Sequence, residues 1–391
     1  MRIVVPVVSS AHTISGVSRH AINMVRSLLQ SERIEHVHVV AGNWQHYLPE
    51  LLKEHPRLSL EMADLRNDLV SRNLWYAMKL SGIVQQQGAD LVHYSFPAPV
   101  RPGGIGVPTV VTLHDLYPHD LPENFGAIKA PFNRMILRQC LAAADAIACV
   151  SHSTQDRLDC VNPLLALRSS HVIPNCVQGL AARATPPSGL SGDEPFVLCV
   201  AQHRRNKNLL ALLRAFVHLR GMESDQPIRL VIVGMAGPET IEIKKFIVAH
   251  HLQDCVMLRS GLSEGELRWC YEQCLVLAAP SVVEGFGLPV AEALMAGCRV
   301  VCSDIPAFRE VGGIHCRYVD LDESSDMRFA HAIAEAISRP KPEAIALARY
   351  SSKAVASQYE ELYRSVMRRN HSRNGSRKCG TAERMEDQVK V

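Results

Sequence analysis

The sequence predicts an α/β protein built from two doubly wound parallel-sheet domains that face each other across a cleft. Three observations carry that expectation. Short β-branched runs alternate with amphipathic stretches of helix length along most of the chain. The alternation is interrupted once, near the middle, by a stretch rich in Pro, Gly, Ser and Ala. The 391 residues also exceed the roughly 250–300 at which one compact core stops growing.

In the first half the strand-like runs are Arg2–Val8, His36–Ala41, Asp90–Tyr94, Thr109–Leu113, Asp145–Val150 and His171–Ile173. In the second half they are Phe196–Ala201, Arg229–Gly234, Val256–Arg259, Cys274–Ala279, Arg299–Cys302 and Arg317–Val319. Between them lie helical patterns such as Gly16–Gln30 and Leu209–Leu219, with apolar residues at three-four spacing. Strands that alternate with helices form parallel sheets covered on both faces. The stretch QGLAARATPPSGLSGDEP, residues 178–195, reads as a linker. The domains expected are therefore 1–177 and 196–344. A helix over 345–366 follows, then a basic tail, 367–391, expected to lack structure.

Composition excludes several classes. Hydrophobic content of 47% against 21% charged supplies enough apolar surface to fold, which rules out general disorder. The 22 prolines and 23 glycines have no period, so a collagen-like or coiled-coil rod is excluded. The net charge of +3 is a property of the tail: Met367–Val391 holds seven Lys/Arg against three Asp/Glu, leaving 35 against 36 in the body. A body at −1 has no general attraction for nucleic acid. No apolar run reaches the ~20 residues that span a bilayer, and Met1–Val8 reads as a buried strand, not a secretory signal. The 12 cysteines are dispersed without a Cys-x-x-Cys, the usage of a reduced, cytoplasmic chain.

Ligands of doubly wound sheets bind beyond the carboxyl ends of the strands, so polar residues there are the candidates. The richest segment is Pro280–Glu310. Gly285 and Gly287 bring backbone N–H groups close to a ligand, and Pro289 and Gly297 suit the start and end of a helix. A helix N-terminus with unpaired donors attracts anions. Glu284 stands at the strand end and Glu292 one turn into the helix, where a carboxylate can accept from a vicinal diol such as a ribose. Next is Ala201–Asn208, with Arg204, Arg205 and Lys207 able to neutralise a diphosphate. His114, with Asp115 after it, follows a strand and can donate to a sugar hydroxyl or shuttle a proton. Gly16 opens the first helix. Each segment also has a plain structural reading: a capped helix, a solvated loop, a structural histidine. No phosphate-binding P-loop occurs, Gly104/Gly106 and Gly285/Gly287 complete no dinucleotide fingerprint, Asp320/Asp322 could pair carboxylates for a divalent ion but read rather as a turn after the last strand, and His250/His251 and Cys270/Cys274 share no metal spacing.

Taken together, these segments resemble the retaining glycosyltransferases of glycosyltransferase family 4. That family has the GT-B architecture of two facing Rossmann-like domains. The strongest likeness is the Glu-x7-Glu pair Glu284/Glu292 within PSVVEGFGLPVAEALMAGCRVVCSD. VVTLHDL at 110–116, ADAIACVSHST at 144–154, VIPN at 172–175, NKNL at 206–209 and LVIVG at 230–234 support it. The resemblance covers residues 1–365 and is closest to bacterial members that build surface polysaccharides, such as mannosyl- or rhamnosyl-type transferases of lipopolysaccharide. It implies transfer of a sugar from a nucleotide-diphosphate donor, GDP-mannose-like or a UDP- or dTDP-sugar, to a polysaccharide or lipid-linked glycan, with retained anomeric configuration. By position, Glu292 would bind the donor ribose. Glu284 would contact the sugar beside the Gly285, Phe286 and Gly287 amides and Leu288. Lys207 would hold the diphosphate, His114 would lie near the reacting carbon, and Gly16 would border the phosphates. His114, Glu284 and Lys207 are the catalytic candidates. No cofactor and no metal is expected, because the cations can stabilise the leaving group.

The chain departs from the family at three places: Gln202 where many members carry an Arg, Cys176 where a Gly follows the VIPN segment, and one glycine, Gly16, where many have two. Arg204 or Arg205 is the expected substitute for the Arg. The stretch Phe125–Ala144 mixes Lys129, Arg134 and Arg138 with Phe132, Met135 and Ile136. It reads as an amphipathic surface helix, or as a contact with the cytoplasmic face of the inner membrane. A same-fold phosphorylase or epimerase, and a sugar-nucleotide-binding protein without transferase activity, stay open at this point.

Overall fold

A computed structural model of the chain describes residues 1–387 apart from 53, 101–103, 122–125, 181, 193 and 223–226. The first sheet comprises β1 (Arg2–Pro6), β2 (His36–Gly42), β3 (Leu58–Ala63), β4 (Leu91–Tyr94), β5 (Thr109–Leu113), β6 (Ala146–Cys149) and β7 (Ser170–Val172). All its pairs are parallel, in the order β3-β2-β1-β4-β5-β6-β7. The second sheet comprises β8 (Phe196–Val200), β9 (Arg229–Val233), β10 (Val256–Arg259), β11 (Val276–Ala279), β12 (Val300–Ser303) and β13 (Arg317–Val319). It is also parallel, in the order β10-β9-β8-β11-β12-β13. In each sheet the order reverses beside the domain's first strand, which opens a crevice at the carboxyl ends.

Both faces of each sheet are covered, as the continuous apolar runs require. In β1, Ile3 and Val5 pack with Ile22, Val25 and Leu28 of helix Gly16–Leu28, while Val4 packs on the other face with Trp75 and Tyr76. Side chains that alternate along a strand produce that division. The edge strand β3 is an addition to the sequence reading. Its Leu58, Leu60 and Met62 lean on the core, and Ser59 meets His36 and His38 at 2.7 Å.

The described residues of 178–195 form no helix or strand and lie on the second domain: Leu190 is buried in its core, and the Thr185 N–H donates to the Gly265 carbonyl at 3.2 Å. The helix expected from 345 begins later, at Ser352. Before it, Ile345 and Leu347 pack on the second-domain core and Ala348–Tyr350 make a 3-10 turn. The helix then returns to the first domain, where Val355, Tyr359, Leu362, Tyr363 and Val366 join its core. Its backbone runs on to Asp387, through the basic stretch expected to lack structure, and residues 388–391 lie outside the described part.

Candidate active site

The carboxyl ends of the two sheets enclose one cavity of about 600 Å³, with walls from both domains. The second-domain wall is built on the loops after β8 and β11. Ser281 Oγ donates to Glu284 Oε1 at 2.7 Å, and Lys207 Nζ meets the same oxygen at 2.5 Å. Lys207 closes a 3-10 turn, Arg205–Lys207, and Asn208 then takes a left-handed conformation (φ +52°), which Asn tolerates better than most residues. Asn206 is fully buried. Its carbonyl accepts from the Val282 N–H at 2.9 Å, tying the two loops together.

Helix Leu288–Met295 starts at the cavity, with Pro289 in its first turn. Gly287 (φ +103°) is required there twice over: by its backbone angle, and because a Cβ would lie 2.9 Å from the Phe308 ring. Glu292 accepts from Tyr271 OH at 2.9 Å. Burial raises its carboxyl above the ordinary range, and the positive field of Arg19 on the opposite domain works against that rise. Phe286 contributes backbone rather than its ring, which turns into the core edge-on to Tyr350 at 5.1 Å.

On the first-domain wall, His114 and Asp115 follow β5 directly. His114 donates from Nε2 to the Ser95 carbonyl at 2.8 Å and packs edge-on against His20 at 4.6 Å. Burial lowers its pKa to about 4, so near neutrality it is uncharged, with an Nδ1 lone pair. Asp115 is raised to about 6, chiefly by burial. Nothing lies within 4 Å of a Cβ built on Gly16, whose surroundings are the cavity itself.

The domains touch at the site. A Cβ on Gly285 would sit 1.6 Å from the His114 carbonyl oxygen. The Gly285 carbonyl accepts from Ser151 Oγ at 2.5 Å and Thr154 Oγ1 at 3.1 Å. Tyr117, from the first domain, accepts at its hydroxyl from Asn206 Nδ2 at 3.2 Å and lies 3.4 Å from Glu284 Oε2.

The structure thus gathers Gly16, His114, Arg204, Lys207, Glu284, Gly285, Phe286, Gly287, Leu288 and Glu292 around one cavity. Arg205 is the exception: it is exposed outside the lining, near Glu239, because the 3-10 turn swings successive side chains apart. Arg204 faces Asp115 and Tyr117 instead. Sequence reasoning overlooked Arg19, Tyr117 and Tyr271, single residues whose partners are far away in the chain. Among the described residues no group of three His, Cys, Asp or Glu can hold a metal ion, and no helix is long and apolar enough to cross a membrane.

Comparison with known proteins agrees with this arrangement. Residues 14–178 match the family described as Glycosyltransferase Family 4, and residues 183–354 match the family described as Glycosyl transferases group 1. The chain is 27% identical over 233 residues to the O-antigen chain mannosyltransferase RfbU of Salmonella typhimurium, covering 59% of this chain and 62% of that one. It is 26% identical over 304 residues to the GDP-mannose:cellobiosyl-diphosphopolyprenol alpha-mannosyltransferase of Xanthomonas oryzae, covering 74% and 76%. Against several curated relatives, including the Salmonella protein, the matched stretch spans only 52–62% of their length. Sucrose-phosphate synthase from Thermosynechococcus elongatus superposes with a TM-score of 0.68 at 18% identity, over 93% of this chain and 98% of that one, a likeness of fold. With the two family matches reaching from residue 14 to 354 over this architecture, the chain belongs to glycosyltransferase family 4, with the GT-B fold.

Proposed function

We propose that this protein is a retaining, metal-independent hexosyltransferase. It moves a sugar, mannose in the first instance, from a nucleotide-diphosphate donor to a surface-polysaccharide or lipid-linked glycan. The observation that carries the reading is the convergence, in one interdomain cavity, of cations, a helix N-terminus and two carboxylates. The named activities of the Salmonella and Xanthomonas relatives support mannose, and the latter supports GDP as the carrier.

In the reaction the bond from the anomeric carbon to the β-phosphate oxygen breaks, and negative charge grows on that phosphate. Lys207, Arg204 and the start of helix Leu288–Met295 stabilise that charge without reorganising. Glu292 accepts from the donor ribose, and Gly285–Leu288 present the loop against the sugar. Glu284 is already engaged by Ser281 and Lys207 and reached by Tyr117, which suits an orienting carboxylate better than a free nucleophile. Retention then follows from attack on the leaving-group face: the acceptor oxygen bonds to the anomeric carbon, and its proton passes to the departing phosphate. His114 holds the donor sugar beside that carbon.

On this reading the transferase works in the cytoplasm, on a nucleotide-sugar donor. Helix Gly126–Ala143 is the candidate for peripheral contact with the inner membrane, since it exposes Met135 and Arg138. Phe125, and the side chain of Lys129, lie outside the described part.

The test is nucleotide binding followed by turnover in the presence of chelator. GDP at a hundredfold excess over its Kd is expected to stabilise the wild-type chain by about 2.7 kcal/mol, and UDP, dTDP and ADP by less. Glu292→Ala is expected to lose the shift and the transfer. Full transfer by that variant, or a product of inverted configuration, would overturn the assignment.

A further inference from the structure

The cavity holds three cationic side chains among its described lining residues: Arg19, Arg204 and Lys207. Lys207 is committed to Glu284. Neither arginine makes an ion pair within 4 Å among the described residues, although Arg204 acts at a distance on Asp115. Arg204 belongs to the second-domain wall and is exposed. Arg19 belongs to the first domain, is half-buried, and stands in the first turn of helix Gly16–Leu28. A side chain there leans toward the helix start. In this molecule that start, Ser15 and Gly16, borders the same cavity. Its charge is felt on the other side of the cleft, at Glu292 and at Tyr271.

A half-buried guanidinium without a close ion pair is a cost in the empty protein. The cost is offset when a ligand brings the anion, and a planar fork matches phosphate oxygens in pairs. The second-domain wall is short of such groups: Gln202, also in the lining, is neutral, and Arg205 points away. Resting on the transferase reading above, we propose that Arg19 is a donor-binding residue that grips the nucleotide diphosphate from the first domain. The leaving group is then held by cations of both domains, Arg19 on one side and Arg204 and Lys207 on the other. Donor binding and the approach of the domains become a single event.

The experiment compares GDP and GMP binding to the full chain, wild type against Arg19→Ala, Arg19→Gln and Arg19→Lys, with donor and acceptor KM measured in parallel. Loss of one charge-assisted contact corresponds to a weakening of about tenfold to a hundredfold. Arg19→Ala and Arg19→Gln are expected to weaken GDP binding by that factor and GMP binding less, to raise the donor KM and to leave the acceptor KM in place. Arg19→Lys should recover part of the loss. Unliganded melting confirms which variants fold, and the near-isosteric Gln variant stands in if the Ala variant does not. Wild-type affinity for GDP in both neutral variants overturns the proposal while leaving the transferase reading intact. So does a rise in acceptor KM alone, which would assign Arg19 to the acceptor. A wild-type chain that binds no nucleoside diphosphate overturns the transferase reading and this inference with it.

Discussion

Tyr117 shows how one side chain serves both domains. It lies on the first, yet its hydroxyl accepts from Asn206 Nδ2 at 3.2 Å and reaches Glu284 Oε2 and the Val283 carbonyl, each at 3.4 Å. A phenol has one proton, so it donates to one of those oxygens at a time. Removing the hydroxyl leaves Asn206 Nδ2 with the Val283 carbonyl at 3.5 Å and takes a donor away from Glu284. Asn206 is buried, and an under-satisfied buried amide costs about 1–3 kcal/mol. Tyr117→Phe is therefore expected to lower stability within that range, read from the urea midpoint. It should lower kcat more than it raises the donor KM, because what it loosens is the orientation of Glu284. An unchanged kcat beside a lowered urea midpoint would reduce Tyr117 to a structural part.

Among the elements, the loop between β11 and helix Leu288–Met295 is where the domains meet, and Gly285 is its point of closest approach. A Cβ there would stand 1.6 Å from the His114 carbonyl oxygen, so Gly285→Ala forces the walls apart. The cores of the two sheets are separate and stay intact. The variant should fold and bind nucleotide, but lose transfer by about a hundredfold or more, the effect of misplacing reacting groups by an ångström. Small-angle scattering would show a larger radius of gyration. A compact variant with full turnover would remove the closed contact from the mechanism. Gly234→Ala differs, since its Cβ would strike the Ala201 carbonyl within one domain. The glycines and the acidic pair were legible in the sequence because the loop after β11 is continuous in the chain. The strand runs were legible because buried parallel strands are uniformly apolar. β3 escaped because it is a half-exposed edge strand in which Ser59 and Glu61 interrupt the apolar residues. The stretch before Ser352 read as helix because Ile345, Leu347 and Tyr350 are apolar, although Ile345 and Leu347 lie in irregular backbone and Tyr350 in a 3-10 turn. Arg19 and Tyr117 were not legible, since each meets its counterpart only once the two domains are assembled, and Tyr271 was not, since it reaches Glu292 only through the packing of two helices of the second domain.

For the molecule as a whole, the consequential feature is a set of buried histidines beneath the cleft. His93 on β4 joins Thr112 on β5, at 2.8 Å, to Tyr363 on the returning C-terminal helix, at 2.5 Å. His20 packs against His114, with Asn175 as the polar side chain beside its ring. Burial lowers all three: His93 to about 3, His114 to about 4, and His20 well below the ordinary 6.5. An unfolded chain takes up these protons as the pH falls through about 6.5, while the folded chain refuses them. Their contribution to stability is therefore complete above that pH and is lost progressively toward 4. Asp115, raised to about 6, and Glu292, raised by burial, act in the opposite sense, because the folded state holds their protons more tightly. Three histidines against two carboxyls leave a net loss on acidification, which steepens as the histidines of the unfolded chain charge below pH 6.5 and is partly offset by Asp115 as the pH passes about 6. His20→Phe removes one of the three protons. Unfolding free energies measured from pH 8 to 5 should show the variant at least as stable as wild type at pH 8. Its fall should be shallower by about 0.7 kcal/mol per pH unit at pH 6.5, rising toward about 1.4 at pH 5, the full linkage slope of a single proton. Parallel curves for the two proteins would mean that His20 is protonated in the fold, and that the histidine set does not govern acid stability.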